Sequence, residues 1–169
     1  RDSATKLKAL GFNITGWSRR PQNVDGVTCY AGSDGFGDFL GSADIFVVLL
    51  PLTDATRGIL NSETFRRMTK RGPLGAPVLI NAGRGGLQVE ADIIAALDDG
   101  LLSAVSLDVF ETEPLAKESP LWTHPKVTVT PHAAAASSAT KLAGPIVEQM
   151  KAYDRGEPLT NLVDKSAGY

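Results

Sequence analysis

The sequence predicts an α/β protein, a Rossmann-type doubly wound parallel sheet, on three observations. Short apolar runs alternate with helical patterns along the chain, the order that builds a sheet with helices on its faces. The clearest unit, Pro77 to Pro114, reads strand, turn, helix, strand, which requires a parallel pair with a right-handed crossover. The run Ile45 to Leu50 is continuously apolar and stopped by Pro51, as expected of a strand buried on both faces.

Taken in order, Ala4, Leu7 and Leu10 share one helical face, Lys6 and Lys8 point elsewhere, and Gly11 stands where a helix ends, so the chain is expected to open inside a helix. Phe12 to Trp17 alternates apolar and polar residues like a strand and exits into Ser18-Arg19-Arg20-Pro21. Val27 to Ala31 reads as a further strand and Phe36 to Ala43 as a short helix. Asn61 or Ser62 caps a helix running to about Met68, and Lys70 to Pro77, rich in glycine and proline, is a loop.

Val78-Leu79-Ile80 is too short for a helix and breaks into Asn81-Ala82-Gly83-Arg84-Gly85-Gly86, whose three glycines permit a tight turn and close backbone approach to a ligand. Val89, Ile93, Ile94 and Leu97 then recur at helical spacing, Asp98-Asp99-Gly100 closes that helix, and Ala104 to Val109 is a second buried strand. Pro114 to Pro125 reads as a loop, and Val127 to Thr130 as a last strand ending in Pro131-His132. A helical pattern runs from Ser138 to Arg155 with Gly144-Pro145 as a kink, Gly156 ends it, and the tail from Leu159 to Tyr169 is irregular.

At 169 residues with 43% hydrophobic content, the length is that of one domain with a packed core. A net charge of −2 with both signs interspersed argues against a nucleic-acid surface or a polybasic membrane patch. The single cysteine, Cys29, has no internal disulfide partner, and no apolar run has the length of a membrane span, so cytoplasmic residence is the default expectation. The start at Arg1 carries neither an initiator methionine nor a signal-peptide pattern, which suggests a chain beginning partway through something larger.

Three strand exits deliver an arginine, a carboxylate and a histidine: Arg84, Glu113 and His132. In open parallel sheets ligands gather beyond the carboxyl ends of the strands, and the acids Asp108 and Glu111 share that edge. A guanidinium matches the two oxygens of a substrate carboxylate with its planar fork. Histidine gives and takes protons near neutrality, and a carboxylate beside it favours its charged form. Together these groups suit a 2-oxo acid. Singly, each has a plainer reading: a turn or ion-pair arginine, a solvent-facing loop acid, a Pro-His turn. His124, also beside a proline, reads as solvated or as a local cap. No metal-ligand set is among the candidates.

The segments INAGRGGLQVEADIIAAL, LDVFETEPL and VTVTPHAA resemble the signature blocks of the D-isomer-specific 2-hydroxyacid dehydrogenases. The spacing agrees, with 29 residues from Arg84 to Glu113 and 19 from Glu113 to His132. GFNITGWSRRP and FVVLLPLTDATRGILN resemble the second and fourth strands of that family's dinucleotide-binding domain, so the likeness covers nearly the whole chain. Trp17-Ser18-Arg19, the alanines after His132 and the ending Asn161 to Tyr169 look most like the glyoxylate/hydroxypyruvate reductase branch.

The resemblance implies hydride transfer from a reduced nicotinamide to C2 of a small 2-oxo acid such as glyoxylate or hydroxypyruvate. It implies His132 as proton donor, Arg84 as the carboxylate-binding and carbonyl-polarising group, and Glu113 as the residue orienting His132. Asp108 would meet the nicotinamide carboxamide, and backbone around Leu50, Pro51, Leu52 and Ala82 would line the cofactor. Formate dehydrogenases of the superfamily carry glutamine where Glu113 stands, which argues against formate. At the second strand's exit an NAD enzyme usually has an acid, whereas Ser18, Arg19 and Arg20 suit a 2′-phosphate, so NADP is favoured over NAD. A homodimer is implied as well.

The resemblance also divides the chain, into a partial NAD(P)-binding domain at 1–137 and a C-terminal helix and tail at 138–169 returning toward a substrate domain absent from this sequence. The family's first strand and its Gly-x-Gly-x-x-Gly turn, expected just before Arg1, are absent too. Phe12–Trp17 and Ile45–Leu50 should therefore lie roughly 9 to 10 Å apart with a slot between them, and the chain alone should bind dinucleotide weakly and tend to aggregate. Two features depart from the family: Ala133 to Ala136 replace the usual glycine and serine, and Lys70 to Pro77 is long. A second reading is a non-enzymatic, dinucleotide-responsive module of corepressor type.

Overall fold

In the computed structural model, residues 1–68, 72–135 and 138–163 are described. The chain begins with α1 (Asp2–Ala9), β1 (Thr15–Ser18), β2 (Thr28–Ala31), α2 (Asp34–Leu40) and β3 (Ile45–Val48). It continues through α3 (Ser62–Arg67), β4 (Val78–Asn81), α4 (Glu90–Asp98), β5 (Ala104–Leu107), β6 (Val127–Val129) and α5 (Ala139–Asp154). Every strand pairing is parallel: β1 with β2 in one sheet, and β3-β4-β5-β6 in order in another. The expected α/β architecture and the strand–helix–strand unit are both present.

β1 and β3 belong to different sheets. A cavity of about 390 Å³ lies between them, lined on one side by Asn13 to Trp17 and on the other by Ile45 to Leu50. The expected slot is therefore present, and the two strands have not collapsed into direct pairing. Aromatic rings join the sheets instead, through α2. Trp17 packs on Phe36 with ring centroids 4.8 Å apart, and Phe39 lies between Tyr30 at 6.2 Å and Phe46 at 5.6 Å.

One face of the larger sheet makes the core. Phe46, Leu79, Val105 and Leu107 point into it and meet Phe65 of α3, Ile93 and Leu97 of α4, and Leu87 and Leu102 of the connections. Asn61 accepts the Thr64 N–H at 3.1 Å and so caps α3, as its sequence position suggests. Gly100 takes φ 68° just beyond α4, a left-handed conformation glycine adopts without steric cost.

Several expectations are corrected. β3 is buried on one face only: Phe46 is 3% exposed, but Ile45 and Val47 are 42% and 47% exposed. Side chains alternate across the sheet, and the face that carries Ile45 and Val47 lacks the packing that the core gives Phe46 and Val48. β1 begins at Thr15 rather than Phe12 because its partner begins only at Thr28, and Phe12 stays exposed. Leu10 falls outside α1 and is 74% exposed. Residues 114–125 include a 3₁₀ turn, Pro120–Trp122, with Ser119 accepting the Leu121 N–H at 3.3 Å. His124 is not solvated; its ring, 11% exposed, accepts the Lys126 N–H at 3.2 Å and so acts as a local cap. Part of the Lys70–Pro77 loop, Ala136 and the tail beyond Val163 lie outside the described residues.

Leu79 sits fully buried in β4, flanked by β3 and β5. Leu79→Ala is expected to cost about 2–5 kcal/mol through lost burial and a residual cavity, read as a lower urea midpoint with an unchanged slope.

Candidate active site

The site is built where β4, β5 and β6 end on one edge of the sheet. β5 leads directly into Asp108, 6% exposed. One carboxylate oxygen accepts the Thr130 hydroxyl and the Ala133 N–H at 2.9 Å; the other accepts the Ala134 N–H, also at 2.9 Å. Burial acts to raise the Asp108 pKa, but the bonds from Thr130, Ala134 and Ala133 and the charge of His132 outweigh it and hold the group below the ordinary aspartate range. These bonds clamp the turn that carries His132, a non-glycine residue at φ 52°. A left-handed backbone is unfavourable for histidine and persists only where neighbours fix it.

Held in that turn, His132 places Nδ1 2.8 Å from Glu113 Oε2. An ionised carboxylate only accepts, so Nδ1–H donates and Nε2 is left for chemistry. Glu113 Oε1 accepts the Phe110 N–H at 3.1 Å, which fixes the carboxylate from behind. The hydrogen bond from His132, then that from Phe110, lower the Glu113 pKa against a smaller opposing effect of burial. A cavity of about 500 Å³ opens beside the pair, walled by Phe110, Leu115, Trp122 and Pro131.

Arg84 lies on the turn after β4, exposed, with Nη1 donating to the Gly83 carbonyl at 2.8 Å. That turn touches the β5 exit. A Cβ at Gly85 would overlap the Phe110 carbonyl, so only glycine permits the approach. Leu50 and Leu52 pack on the same turn, against Gly83 and Gly86, and the Ala82 N–H donates to Val48 O at 3.2 Å. Pro51 is exposed and its carbonyl accepts the Thr56 hydroxyl at 2.7 Å.

The structure thus brings Glu113, His132 and Asp108 together and seats the Arg84 turn beside them. Ser18, Arg19 and Arg20 stand apart, at the end of β1 in the other sheet. Ser18 Oγ donates to the Arg20 carbonyl at 2.7 Å, and both arginines are exposed, a donor set that fits a phosphate dianion. The Asp108 oxygens hold the His132 turn, and Glu111 is engaged at the start of α4. Glu111 accepts the Glu90 N–H at 2.6 Å while Glu90 accepts the Glu111 N–H at 2.7 Å, a cap supplied from across the site. Thr130 and Glu90 carry no signal in the sequence, because their partners lie more than twenty residues away.

Residues 1–134 match the model of the D-isomer specific 2-hydroxyacid dehydrogenase, NAD binding domain. The chain belongs to this family. It is 42% identical over 166 residues to a glyoxylate/hydroxypyruvate reductase A of Serratia proteamaculans, covering 98% of this chain and 51% of that protein. An NADPH-dependent glyoxylate/hydroxypyruvate reductase of Sinorhizobium meliloti, solved with NADP and sulfate, superposes with TM-score 0.96 at 51% identity, over 99% of this chain and 53% of that one. A D-isomer specific 2-hydroxyacid dehydrogenase of Xanthobacter autotrophicus, solved with NADPH, gives TM-score 0.93 at 41% identity, over 99% and 67%. The chain spans about half the length of the curated relatives it matches. Among the described residues, no helix is long and apolar enough to cross a membrane.

Because the Glu113 pKa is lowered on folding, its ionised form stabilises the fold. That contribution is complete above the ordinary value of 4.5 and is lost as pH falls through the lowered one. The stability difference between wild type and Glu113→Gln is therefore expected to shrink as pH falls below about 4.5, as measured by thermal melts between about pH 5 and pH 3.

Proposed function

We propose that this chain forms the cofactor-side and proton-donating part of an NADPH-dependent reductase of small 2-oxo acids, with glyoxylate and hydroxypyruvate as the substrate class. The observation that carries the reading is the Glu113–His132 pair at 2.8 Å, set at the strand exits beside the turn that presents Arg84. The reductase names and NADP-bound states of the similar proteins support it.

When bound, the reduced nicotinamide supplies the hydride. His132 delivers the proton from Nε2 to the carbonyl oxygen, while Glu113 at Nδ1 orients the ring. Arg84 takes the substrate carboxylate with the guanidinium donors not used on Gly83, which orients the carbonyl toward His132. Asp108 keeps the His132 turn in its left-handed shape, and its Oδ2, bonded to one amide, retains capacity to accept from a carboxamide. Ser18, Arg19 and Arg20 bind the 2′-phosphate, and backbone around Leu50, Pro51, Leu52 and Ala82 lines the cofactor.

Helix α5 fits a separate role for residues 138–163. None of its residues is buried, and Leu142, Ile146, Val147 and Met150 form an exposed apolar stripe. The same reading includes cytoplasmic residence and assembly as a homodimer.

The test is NADPH oxidation with glyoxylate, hydroxypyruvate and pyruvate. Within the full-length parent protein, wild type is expected to turn over at least one of them and His132→Ala to lose roughly 10²–10⁴ in kcat, whereas residues 1–169 alone are expected to be inert. Arg19→Glu with Arg20→Glu is expected to weaken NADPH far more than NADH. A His132→Ala protein with wild-type kcat contradicts the reading, and a protein that binds NADPH but reduces nothing is a binding module instead.

A further inference from the structure

Two amide side chains, Asn81 and Gln88, are enclosed beneath the site, at 0% and 2% exposure. Asn81 is the last residue of β4, and Gln88 follows the 3₁₀ turn Gly85–Leu87. Asn81 Oδ1 accepts the Gly83 N–H at 3.0 Å; its Nδ2 donates to Gln88 Oε1 at 2.7 Å and to the Arg84 carbonyl at 3.2 Å. Gln88 Nε2 then donates to the Val109 carbonyl at 3.0 Å. We propose that this amide pair positions Arg84 against the Glu113–His132 pair, which makes Gln88 a positioning residue for binding of the substrate carboxylate. The inference rests on the reductase reading given above.

The connectivity is what points to position rather than to bulk stability. Asn81 grips the turn on both sides of the arginine, at the amide of Gly83 and at the carbonyl of Arg84 itself. Of the two side chains, only that of Gln88 reaches across to the segment just past β5, at Val109. On one side of Val109 stands Asp108, which holds the His132 turn; on the other stands Phe110, whose N–H fixes Glu113. A short path of hydrogen bonds thus sets the arginine's backbone relative to the backbone that holds the proton donor. Buried amides that lose a partner are costly, so removing the Gln88 amide leaves both Asn81 Nδ2 and the Val109 carbonyl short of a partner. The β4–β5 pairing itself stays, held by the Asp108 N–H donating to the Asn81 carbonyl at 3.0 Å, but the turn carrying Arg84 loses its tie to Val109 and is freed to shift. A guanidinium binding a carboxylate in two parallel bonds is sensitive to such a displacement.

The test compares wild type, Gln88→Met, Arg84→Lys and the double variant, each in the full-length parent protein, in NADPH-dependent reduction of glyoxylate, with Gln88→Leu in reserve should Gln88→Met fail to fold. Gln88→Met is expected to raise the KM for glyoxylate about tenfold or more while the KM for NADPH moves less than about twofold. In the Arg84→Lys background the same change is expected to add little, because the group it positions has gone. An unmoved KM for glyoxylate overturns the proposal. So does an effect that adds fully to Arg84→Lys, or an equal loss for glyoxylate and NADPH, which would mark a merely structural role. A wild type without turnover defeats the reductase reading instead. The positioning claim is then judged by hydrogen exchange, where the Gly83 amide in Gln88→Met is expected to exchange about tenfold faster than in wild type, and an unchanged rate overturns it.

Discussion

A buried carboxylate at the exit of β5 sets the geometry on which the site depends. Asp108 gathers a hydroxyl from the residue after β6 and two backbone amides from the turn beyond it. Those three bonds hold His132 in a left-handed conformation that its own side chain does not favour. From there the imidazole meets Glu113, itself anchored on the backbone two residues beyond Asp108. The pairing of His132 with Glu113 thus follows from one buried aspartate that binds a hydroxyl and two backbone amides.

The parallel sheet supplies the rest. Because β4, β5 and β6 run in the same direction and in adjacent register, their ends arrive at one edge, and three turns distant in sequence become neighbours. Gly85 permits the first of those turns to press its backbone against the Phe110 carbonyl. The reciprocal bonds between Glu90 and Glu111 close the same edge over the start of α4. The chain therefore uses short strands with long reach: each strand has three or four residues, and the chemistry sits just past its end.

Much of this was legible in the sequence. The run from Val78 through the glycine turn to Leu107 announced a crossover unit, since its periodicity switches from strand to helix and back between recognisable stops. Arg84, Glu113 and His132 were legible as strand exits, where a parallel sheet gathers its loops. What remained hidden depends on partners rather than on pattern. Ile45 and Val47 read as buried because they are apolar, but burial needs a neighbour, and their face lacks the packing that the core gives Phe46 and Val48. Asp108 was legible as an acid at the strand-exit edge, but its bonds to residues 22 to 26 positions away were not. Nothing in the pattern singled out Asn81 and Gln88, and only the fold encloses them.

The central claim, that Glu113 fixes the working nitrogen of His132, is tested most directly by ¹⁵N NMR of the His132 ring in its neutral form, at alkaline pH. The account predicts that Nδ1 carries the proton, donated to Glu113, with Nε2 bare, and that Glu113→Gln shifts this tautomer balance. A ring protonated at Nε2 with Nδ1 bare in the wild-type protein would contradict it, since Glu113 would then hold no proton of the imidazole and could not orient it as the donor.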